Sequence, residues 1–419
     1  MKRDKFMGII SGKIEEAVQE LAEEKIGEAE LPSYESSSLL NKMNSLGTET
    51  WIDTGDLELA RSVWKQELTS LTTNNTLANQ VVQTGVLDET IQSTVSRLKE
   101  VAPDLEEADR ILEVGFVINC KIALRLVNGF RKKVSVELHP AISRDIDKTV
   151  EFARRYQKVC PEYFIVKIPL TPEGYLSVRK LRKEGMPINF TLGFSARQNY
   201  LAAILSNPDF VNVFLGRLNQ VIVDNSLGTG KGVGEKVTLA TQSAISDLRR
   251  RRPEVVTRLI AASIRNGDQV AALTGVDVHT IPPKALTDFL NSDRKPEDLK
   301  KGNHEDWNPE ADMSIMDRLK DLWEVSETFK KFADDLISLD SVDSMNGEDL
   351  INICEKSGID LFGRFSENEI KSIYETGKIP QFKNWPDSIA VDDLMTQSAL
   401  QSFAKDQNAL DDRIRSFLS

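Results

Sequence analysis

The sequence predicts an α/β fold, a (β/α)8 barrel of the TIM type, with a helical extension at its N-terminus and helical additions at its C-terminus. Within residues 48–283, short β-like runs alternate with helical segments, and such alternation indicates a parallel sheet. Eight runs are present, which is the number that closes a barrel. The runs are residues 51–53, 68–73, 134–138, 163–168, 188–192, 210–215, 258–262 and 278–281.

The patterns on either side of this region differ from strand–helix alternation. Residues 4–29 carry apolar side chains at helical spacing, whereas the Ser- and Asn-rich residues 31–46 predict a linker. A polar connection follows the barrel, then several helical stripes, and a final helix near the C-terminus. We therefore divide the chain into an extension (1–47), the barrel (48–290), a helical insertion or linker (291–386) and a C-terminal helix packed on the barrel (387–419).

Composition narrows the class of protein. The content of 40% hydrophobic and 28% charged residues is ordinary for a globular chain. A net charge of −12 argues against nucleic-acid binding, and the run of four arginines at 249–252 is interpreted as a solvated helix end. Three cysteines without metal or redox spacing indicate a reducing compartment. No apolar run approaches the length of a membrane span, so we predict a cytoplasmic protein without membrane contact.

Lys167 lies inside the apolar run 163–169. Burying an ammonium group costs several kcal/mol unless it is paired or loses its proton. A neutral amine in such a place is the nucleophile that forms a Schiff base with a carbonyl substrate. The alternative is a lysine at the end of a strand that reaches water.

Polar residues follow the other runs, at the ends where a barrel places its active site. Lys167 could attack a ketone, Glu137 could move protons through a water held by Thr191, and Asp53 could exchange the proton of a substrate hydroxyl. Arginines suit phosphate because their fork matches its oxygens. The alternatives are helix caps for Asp53 and Asn74 and surface ion pairs for the arginines. The strand-end set is Asp53, Asn74, Glu137, Lys167, Asn189, Thr191, Phe214, Arg217, Ser263 and Arg265.

The motifs at these ends, taken in order, resemble those of the transaldolases, a family of Schiff-base sugar-phosphate enzymes with a (β/α)8 barrel. Any one motif alone would be weak, but the ordered set is specific, and it covers roughly residues 48–290 and 387–419. The motifs are Asp53-Thr-Gly, Thr72-Thr-Asn74, Val134-Ser-Val-Glu137, Val166-Lys167-Ile-Pro169, Asn189-Phe-Thr191-Leu-Gly-Phe-Ser195, Phe214-Leu-Gly-Arg217, Ala262-Ser263-Ile-Arg265-Asn266 and, in the last helix, Phe403-Ala with Asp406-Gln407.

The resemblance implies a role for each residue. Lys167 would be the nucleophile, Glu137 the acid/base, and Asp53 the carboxylate that assists carbon–carbon cleavage. Thr191 would hold the water, and Asn74 and Asn189 would orient hydroxyls. The phosphate would be bound by Arg217, Ser263 and Arg265. No metal or organic cofactor is implied, and the partners would be sugar phosphates, with homo-oligomerisation left open.

The implied activity is transfer of a dihydroxyacetone unit from a ketose phosphate to an aldose phosphate, as in the pentose phosphate pathway of carbohydrate metabolism. An example is sedoheptulose 7-phosphate with glyceraldehyde 3-phosphate giving erythrose 4-phosphate and fructose 6-phosphate. Simple aldolases among the relatives tend to carry Gln and Tyr where this chain has Glu137 and Phe214. That difference favours transfer over release of free dihydroxyacetone.

Departures from the family pattern keep alternatives open. Asn75-Thr76 replaces a Pro-Ser pair, and Asn212 replaces a serine that contacts the donor end of the sugar, so Asn212 joins Phe214 among the expected substrate-binding residues. One alternative is an aldolase of this type acting on a non-standard sugar phosphate, and another is a non-catalytic sugar-phosphate-binding barrel. A third is that the C-terminal helices bind another protein. The glycine-rich residues 225–236 predict a flexible loop over the barrel mouth.

Overall fold

Eight parallel strands close into a barrel in sequence order, which confirms the predicted fold class. The computed structural model describes residues 2–27 and 31–418, and for residues 2–11 it describes the backbone alone. Each predicted run falls on a strand and agrees with its ends to within two residues. The strands are β1 (Glu49–Asp53), β2 (Leu68–Thr72), β3 (Lys133–Glu137), β4 (Phe164–Pro169), β5 (Ile188–Thr191), β6 (Phe210–Phe214), β7 (Arg258–Ala262) and β8 (Val278–Ile281).

The register of the strands sets which polar residues are neighbours. Glu137 pairs with Lys167 across β3 and β4, and Lys167 pairs with Asn189 across β4 and β5. Paired residues of parallel strands project to the same side of the sheet. The three side chains therefore form one row inside the barrel, near the carboxyl ends of the strands.

Helices surround the barrel and extend the chain at both ends. They are α1 (Lys2–Ala22), α2 (Ser38–Ser45), α3 (Leu57–Val63), α4 (Asn75–Gln83), α5 (Asp88–Val101), α6 (Glu107–Phe130), α7 (Ile146–Val159), α8 (Pro172–Lys183), α9 (Ala196–Leu201, followed by a π-helical turn at Ala202–Ser206), α10 (Leu215–Asp224), α11 (Val233–Arg251), α12 (Gly267–Ala272), α13 (Pro283–Leu290), α14 (Met313–Trp323), α15 (Glu327–Ile337), α16 (Gly347–Lys356), α17 (Glu367–Thr376) and α18 (Val391–Arg415).

Two predictions for the N-terminal extension need correction. The first helix ends at Ala22, residues 23–27 are irregular, and the last part of the predicted helix lies outside the described residues. Residues 31–46 contain the helix α2 rather than a linker alone. The Ser37 side chain caps α2, and Leu39, Leu40 and Met43 are buried beneath it, which is enough to stabilise a short amphipathic helix.

The segment 291–386 packs onto the outside of the barrel. Its helix α14 packs on α9 and α11, α15 packs on the π-helical turn, and α16 packs on α8. The proposed domain division stays a prediction.

The glycine-rich residues 225–236 pack against this added segment. The Gly230 amide donates to the Glu310 carbonyl at 3.1 Å, and the Asp312 amide donates to the Leu227 carbonyl at 2.6 Å. Gly228, Gly230 and Gly232 have positive φ angles, which glycine adopts without strain. The stretch joins α10 to α11 and enters the first turn of α11, and its predicted position over the barrel mouth stays a prediction. Among the described residues, no helix combines the length and apolar composition needed to cross a membrane.

Candidate active site

Lys167 and Glu137 form a buried ion pair at the ends of β4 and β3. The Lys167 Nζ lies 3.1 Å from Glu137 Oε2, and the two side chains are 5% and 2% exposed. Lys167 Nζ also donates a hydrogen bond to the Thr73 carbonyl at 3.1 Å. Burial raises the pKa of Glu137, and the positive charge of Lys167 opposes that rise. The lysine thus does not reach bulk water, and its nearest acidic group can accept and return a proton.

Asp53 stands at the end of β1 and is free of helix capping. The helix α3 is capped by Asp56, whose side chain accepts from the amides of Glu58 and Leu59. Asp53 instead accepts a hydrogen bond from Thr72 Oγ1 at 2.6 Å. Burial raises its pKa, while the charge of Lys167 and the Thr72 hydrogen bond act in the opposite direction. A carboxyl group with a raised pKa inside a cavity is suited to proton exchange with a ligand.

A row of amides continues the site along β5 and β6. Asn189 Nδ2 donates to Ser135 Oγ at 2.9 Å, and Asn212 Nδ2 donates to Asn189 Oδ1 at 3.0 Å. The Asn212 Oδ1 is buried and has no partner among the described residues, so it can accept from a ligand hydroxyl. The Thr191 side chain is also buried, and its Oγ1 likewise lacks a described partner. Asn74 caps α4 through the Leu77 amide at 2.9 Å.

Two arginines add to the positive charge that Lys167 brings to the site. Arg217 is buried in the first turn of α10, and Arg265 lies near the rim. Neither forms an ion pair within 4.0 Å in the described part of the chain, so the surface ion-pair interpretation is wrong there. Burial, with the nearby charge of Arg265, lowers the pKa of Arg217 to about 10. The two cations are thus arranged to receive an anion.

Backbone geometry fixes the approach of these arginines. Ser263, at the end of β7, has a φ of 62°, a left-handed conformation that is uncommon for residues other than glycine. Gly216 packs against it so closely that an added Cβ would lie 2.2 Å from the Ser263 carbonyl oxygen. Glycine is therefore needed at 216 for Arg217 and Ser263 to lie side by side.

The last helix, α18, covers the site. Lys167 Nζ lies 5.9 Å from the centre of the Phe403 ring, and Arg217 Cζ lies 5.4 Å from the same centre. Asn75 Nδ2 donates to Gln407 Oε1 at 3.0 Å, and Thr76 donates to the Asp406 carboxylate. The Asn75-Thr76 pair that departs from the expected pattern thus fastens α18 to the mouth of the barrel.

A comparison with known families agrees with this geometry. The model of the family described as transaldolase/fructose-6-phosphate aldolase matches residues 50–341. The chain belongs to this family. It is 28% identical over 267 residues to a transaldolase of Prochlorococcus marinus, covering 62% of this chain and 78% of that protein. It is 27% identical over 335 residues to a transaldolase of Kluyveromyces lactis, covering 74% of this chain and 96% of that protein.

In this member of the transaldolase/fructose-6-phosphate aldolase family, a cavity of about 180 Å³ joins nine of the eleven predicted site residues. The two others, Glu137 and Thr191, are buried and are not in its wall, although Glu137 is paired with the lining residue Lys167. The nine are Asp53, Asn74, Lys167, Asn189, Asn212, Phe214, Arg217, Ser263 and Arg265. Among the described residues, no group of three or more His, Cys, Asp or Glu side chains is arranged to hold a metal ion.

Several residues of the site were not predicted from the sequence. Thr72 and Ser135 position Asp53 and Asn189 through hydrogen bonds. Each lies on an inward-facing strand position, two residues from another polar residue, and this spacing could have identified both from the sequence. Phe403 was quoted as part of the last-helix motif but was given no role at the site. Lys378 lines the cavity from the segment 291–386, and no local motif marked it.

Proposed function

We propose that this chain is a transaldolase that transfers a dihydroxyacetone unit from a ketose phosphate to an aldose phosphate through a Schiff base on Lys167. The observation that carries the proposal is the buried ion pair of Glu137 with Lys167, a residue that lines a cavity together with two unpaired arginines. A ketone at Lys167 and a phosphate at Arg217 and Arg265 together fit an open-chain sugar phosphate.

The first half of the reaction forms the Schiff base. Glu137 takes a proton from the Lys167 ammonium, and the neutral amine then attacks C2 of the ketose to give a carbinolamine. Glu137 returns the proton to the C2 hydroxyl, which leaves as water when the carbon–oxygen bond breaks. The product is an iminium ion whose nitrogen is that of Lys167. Thr191 Oγ1, buried and without a described partner, is available to bind that water.

The second half breaks and remakes a carbon–carbon bond. Asp53 accepts the proton of the C4 hydroxyl, the C3–C4 bond breaks, and its electron pair moves toward the iminium nitrogen. The aldose phosphate departs and leaves an enamine on Lys167. An acceptor aldehyde is then attacked by the enamine carbon, and Asp53 returns its proton to the new alkoxide. Water finally hydrolyses the iminium and releases the new ketose phosphate.

The donor end of the cavity supports a second candidate, a transaldolase-like aldolase for a non-standard sugar phosphate. Asn212 lies at this end of the cavity. Its Oδ1 is buried and unpaired, and its Nδ2 donates a hydrogen bond to Asn189 Oδ1. A donor sugar with an extra hydroxyl or amino group near C1 would satisfy that oxygen. Such a substrate would also form a Schiff base with Lys167, so the two candidate functions differ in substrate and not in mechanism.

A transfer assay tests the proposal. We expect the protein to convert fructose 6-phosphate and erythrose 4-phosphate into sedoheptulose 7-phosphate and glyceraldehyde 3-phosphate, and we expect Lys167→Met to lose this activity. If dihydroxyacetone is released as fast without an acceptor as it is transferred with one, the simple-aldolase function replaces the transferase. A protein that binds sugar phosphates without turning any of them over would be the non-catalytic barrel. The pentose phosphate pathway and a cytoplasmic location stay predictions.

A further inference from the structure

Lys378 joins Arg217 and Arg265 as a third positive charge on the arginine side of the cavity, and it comes from outside the barrel. It follows α17 in the segment 291–386, and it lines the same cavity as Arg217, Ser263 and Arg265. The other lining residues come from strand ends, from the loops and helix starts that follow them, and from α18. The added segment thus meets the site through a cationic side chain.

The loop that carries Lys378 has a defined conformation. Gly377 has φ 93° and ψ −157°, a region that is essentially restricted to glycine. An added Cβ at Gly377 would meet no atom within 4 Å, so the backbone conformation and not the space around it requires glycine here. This turn ends α17 and directs the chain back across the rim of the barrel.

Asn225 ties this loop to the helix that carries Arg217. Asn225 Nδ2 donates to the Pro380 carbonyl at 2.9 Å, and the Phe382 amide donates to Asn225 Oδ1 at 2.7 Å. Asn225 is the residue that follows α10, and Arg217 lies in the first turn of that helix. Lys378 and Arg217 are therefore positioned by one structural unit and not by independent loops.

The three cationic side chains of this wall have no carboxylate at ion-pair distance. Arg217, Arg265 and Lys378 form no ion pair within 4.0 Å in the described part of the chain. The Nη1 of Arg217 is buried and has no hydrogen-bond partner there. Like charges that face one small cavity repel each other, and a buried guanidinium donor without an acceptor is costly. An anion with several acceptor oxygens would relieve both conditions.

We propose that Lys378 contacts the terminal phosphate of the sugar substrate and completes a three-cation site with Arg217 and Arg265. The identity of the ligand as a sugar phosphate rests on the proposed function. A phosphate monoester carries nearly two negative charges and three acceptor oxygens, which suits three cationic donors better than two. The segment 291–386 then takes part directly in substrate recognition, and its removal would weaken phosphate binding.

Binding of glucitol 6-phosphate tests this role without requiring catalysis, because a sugar alcohol has no carbonyl and cannot form a Schiff base. Isothermal titration at low ionic strength should show Lys378→Met binding about 5- to 10-fold more weakly than wild type, as expected for a charge-assisted contact at an exposed position. Lys378→Arg should bind within about twofold of wild type because it keeps the charge. Lys371→Met is the matched control, since Lys371 is an exposed lysine of α17 outside the cavity wall, and it should bind like wild type.

The outcomes separate this inference from the proposed function. Equal affinity of Lys378→Met and wild type would overturn the role of Lys378, even if Lys167 forms its Schiff base. Equal weakening by Lys371→Met and Lys378→Met would also overturn it, because the effect would then reflect net charge alone. Wild-type protein that binds glucitol 6-phosphate in a Lys378-dependent way but transfers no carbon unit would refute the proposed function and leave the anion site standing.

Discussion

The unpaired charge of Arg217 should lower the stability of the ligand-free protein. The lowering of its pKa to about 10 corresponds to a destabilisation of the charged form by about 3 kcal/mol. Contacts of the guanidinium with the Phe214 and Phe403 rings, at 5.8 and 5.4 Å, lie close to the limit of about 6 Å for such interactions, so each offsets this by only about 0.5–1 kcal/mol. Arg217→Met keeps much of the apolar stem and removes the charge. We therefore expect the free energy of unfolding to rise by about 1–2 kcal/mol.

The same substitution should remove the stabilisation that phosphate gives. A ligand that binds the folded state alone stabilises it by about 2.7 kcal/mol at 100 times its dissociation constant. Urea unfolding followed by tryptophan fluorescence should show wild type gaining stability on addition of inorganic phosphate, and Arg217→Met gaining little. A comparison of the two proteins without phosphate measures the stability cost of the Arg217 charge. The change on adding phosphate measures the stabilisation that the bound anion gives.

A buried arginine with partners supplies the matched control. Arg197 donates to Asp392 through Nε at 2.8 Å and Nη2 at 2.9 Å, and to Asp360 through Nη1 at 2.6 Å. Breaking such a pair leaves a buried carboxylate uncompensated, so Arg197→Met should destabilise the protein by about 3–5 kcal/mol. If Arg217→Met instead lowers the stability of phosphate-free protein as Arg197→Met does, Arg217 is a structural residue and our reasoning on the anion site is wrong.

Two further predictions concern Phe214 in the cavity wall and Asp393 in α18. Phe214 lines the cavity, so Phe214→Tyr places a hydroxyl there that can protonate the enamine. Release of dihydroxyacetone should therefore rise, and transfer to erythrose 4-phosphate should fall. An unchanged ratio of release to transfer in a coupled assay would contradict this prediction. Burial raises the pKa of Asp393 to about 7, so the folded state binds a proton that the unfolded state releases between about pH 4 and pH 7. Its stabilising effect is thus present at low pH and lost as the pH rises to 7. Between pH 4 and pH 8, the free energy of unfolding of wild type should fall by on the order of 2–4 kcal/mol relative to that of Asp393→Asn. Parallel pH profiles of this free energy in the two proteins would refute the prediction.

The barrel and most of its site residues could be predicted because both depend on local patterns. Strand–helix alternation locates the strand ends, and the barrel then brings those ends together, as for Asp53, Lys167 and Arg217. The role of Asp53 could not be decided locally, since Asp56 was an equally suitable cap for α3 and only the structure separates them.

The remaining features depend on contacts between distant parts of the chain. The Ser- and Asn-rich composition around α2 concealed a helix that is stabilised by burial of Leu39 and Leu40. Lys378 and Phe403 reach the cavity from segments that follow the barrel, and no spacing along the chain relates them to Lys167. The glycine-rich stretch predicted a flexible loop because glycine permits motion, whereas its positive φ angles here allow close packing on the segment around Glu310.

Reductive trapping tests the central claim, the Schiff base on Lys167, most directly. The protein is incubated with fructose 6-phosphate, reduced with borohydride, digested and mapped by mass spectrometry. We predict a stable three-carbon adduct on Lys167 that is absent from Lys167→Ala and from samples without the sugar. An adduct on another lysine, or one that persists in Lys167→Ala, would contradict the mechanism.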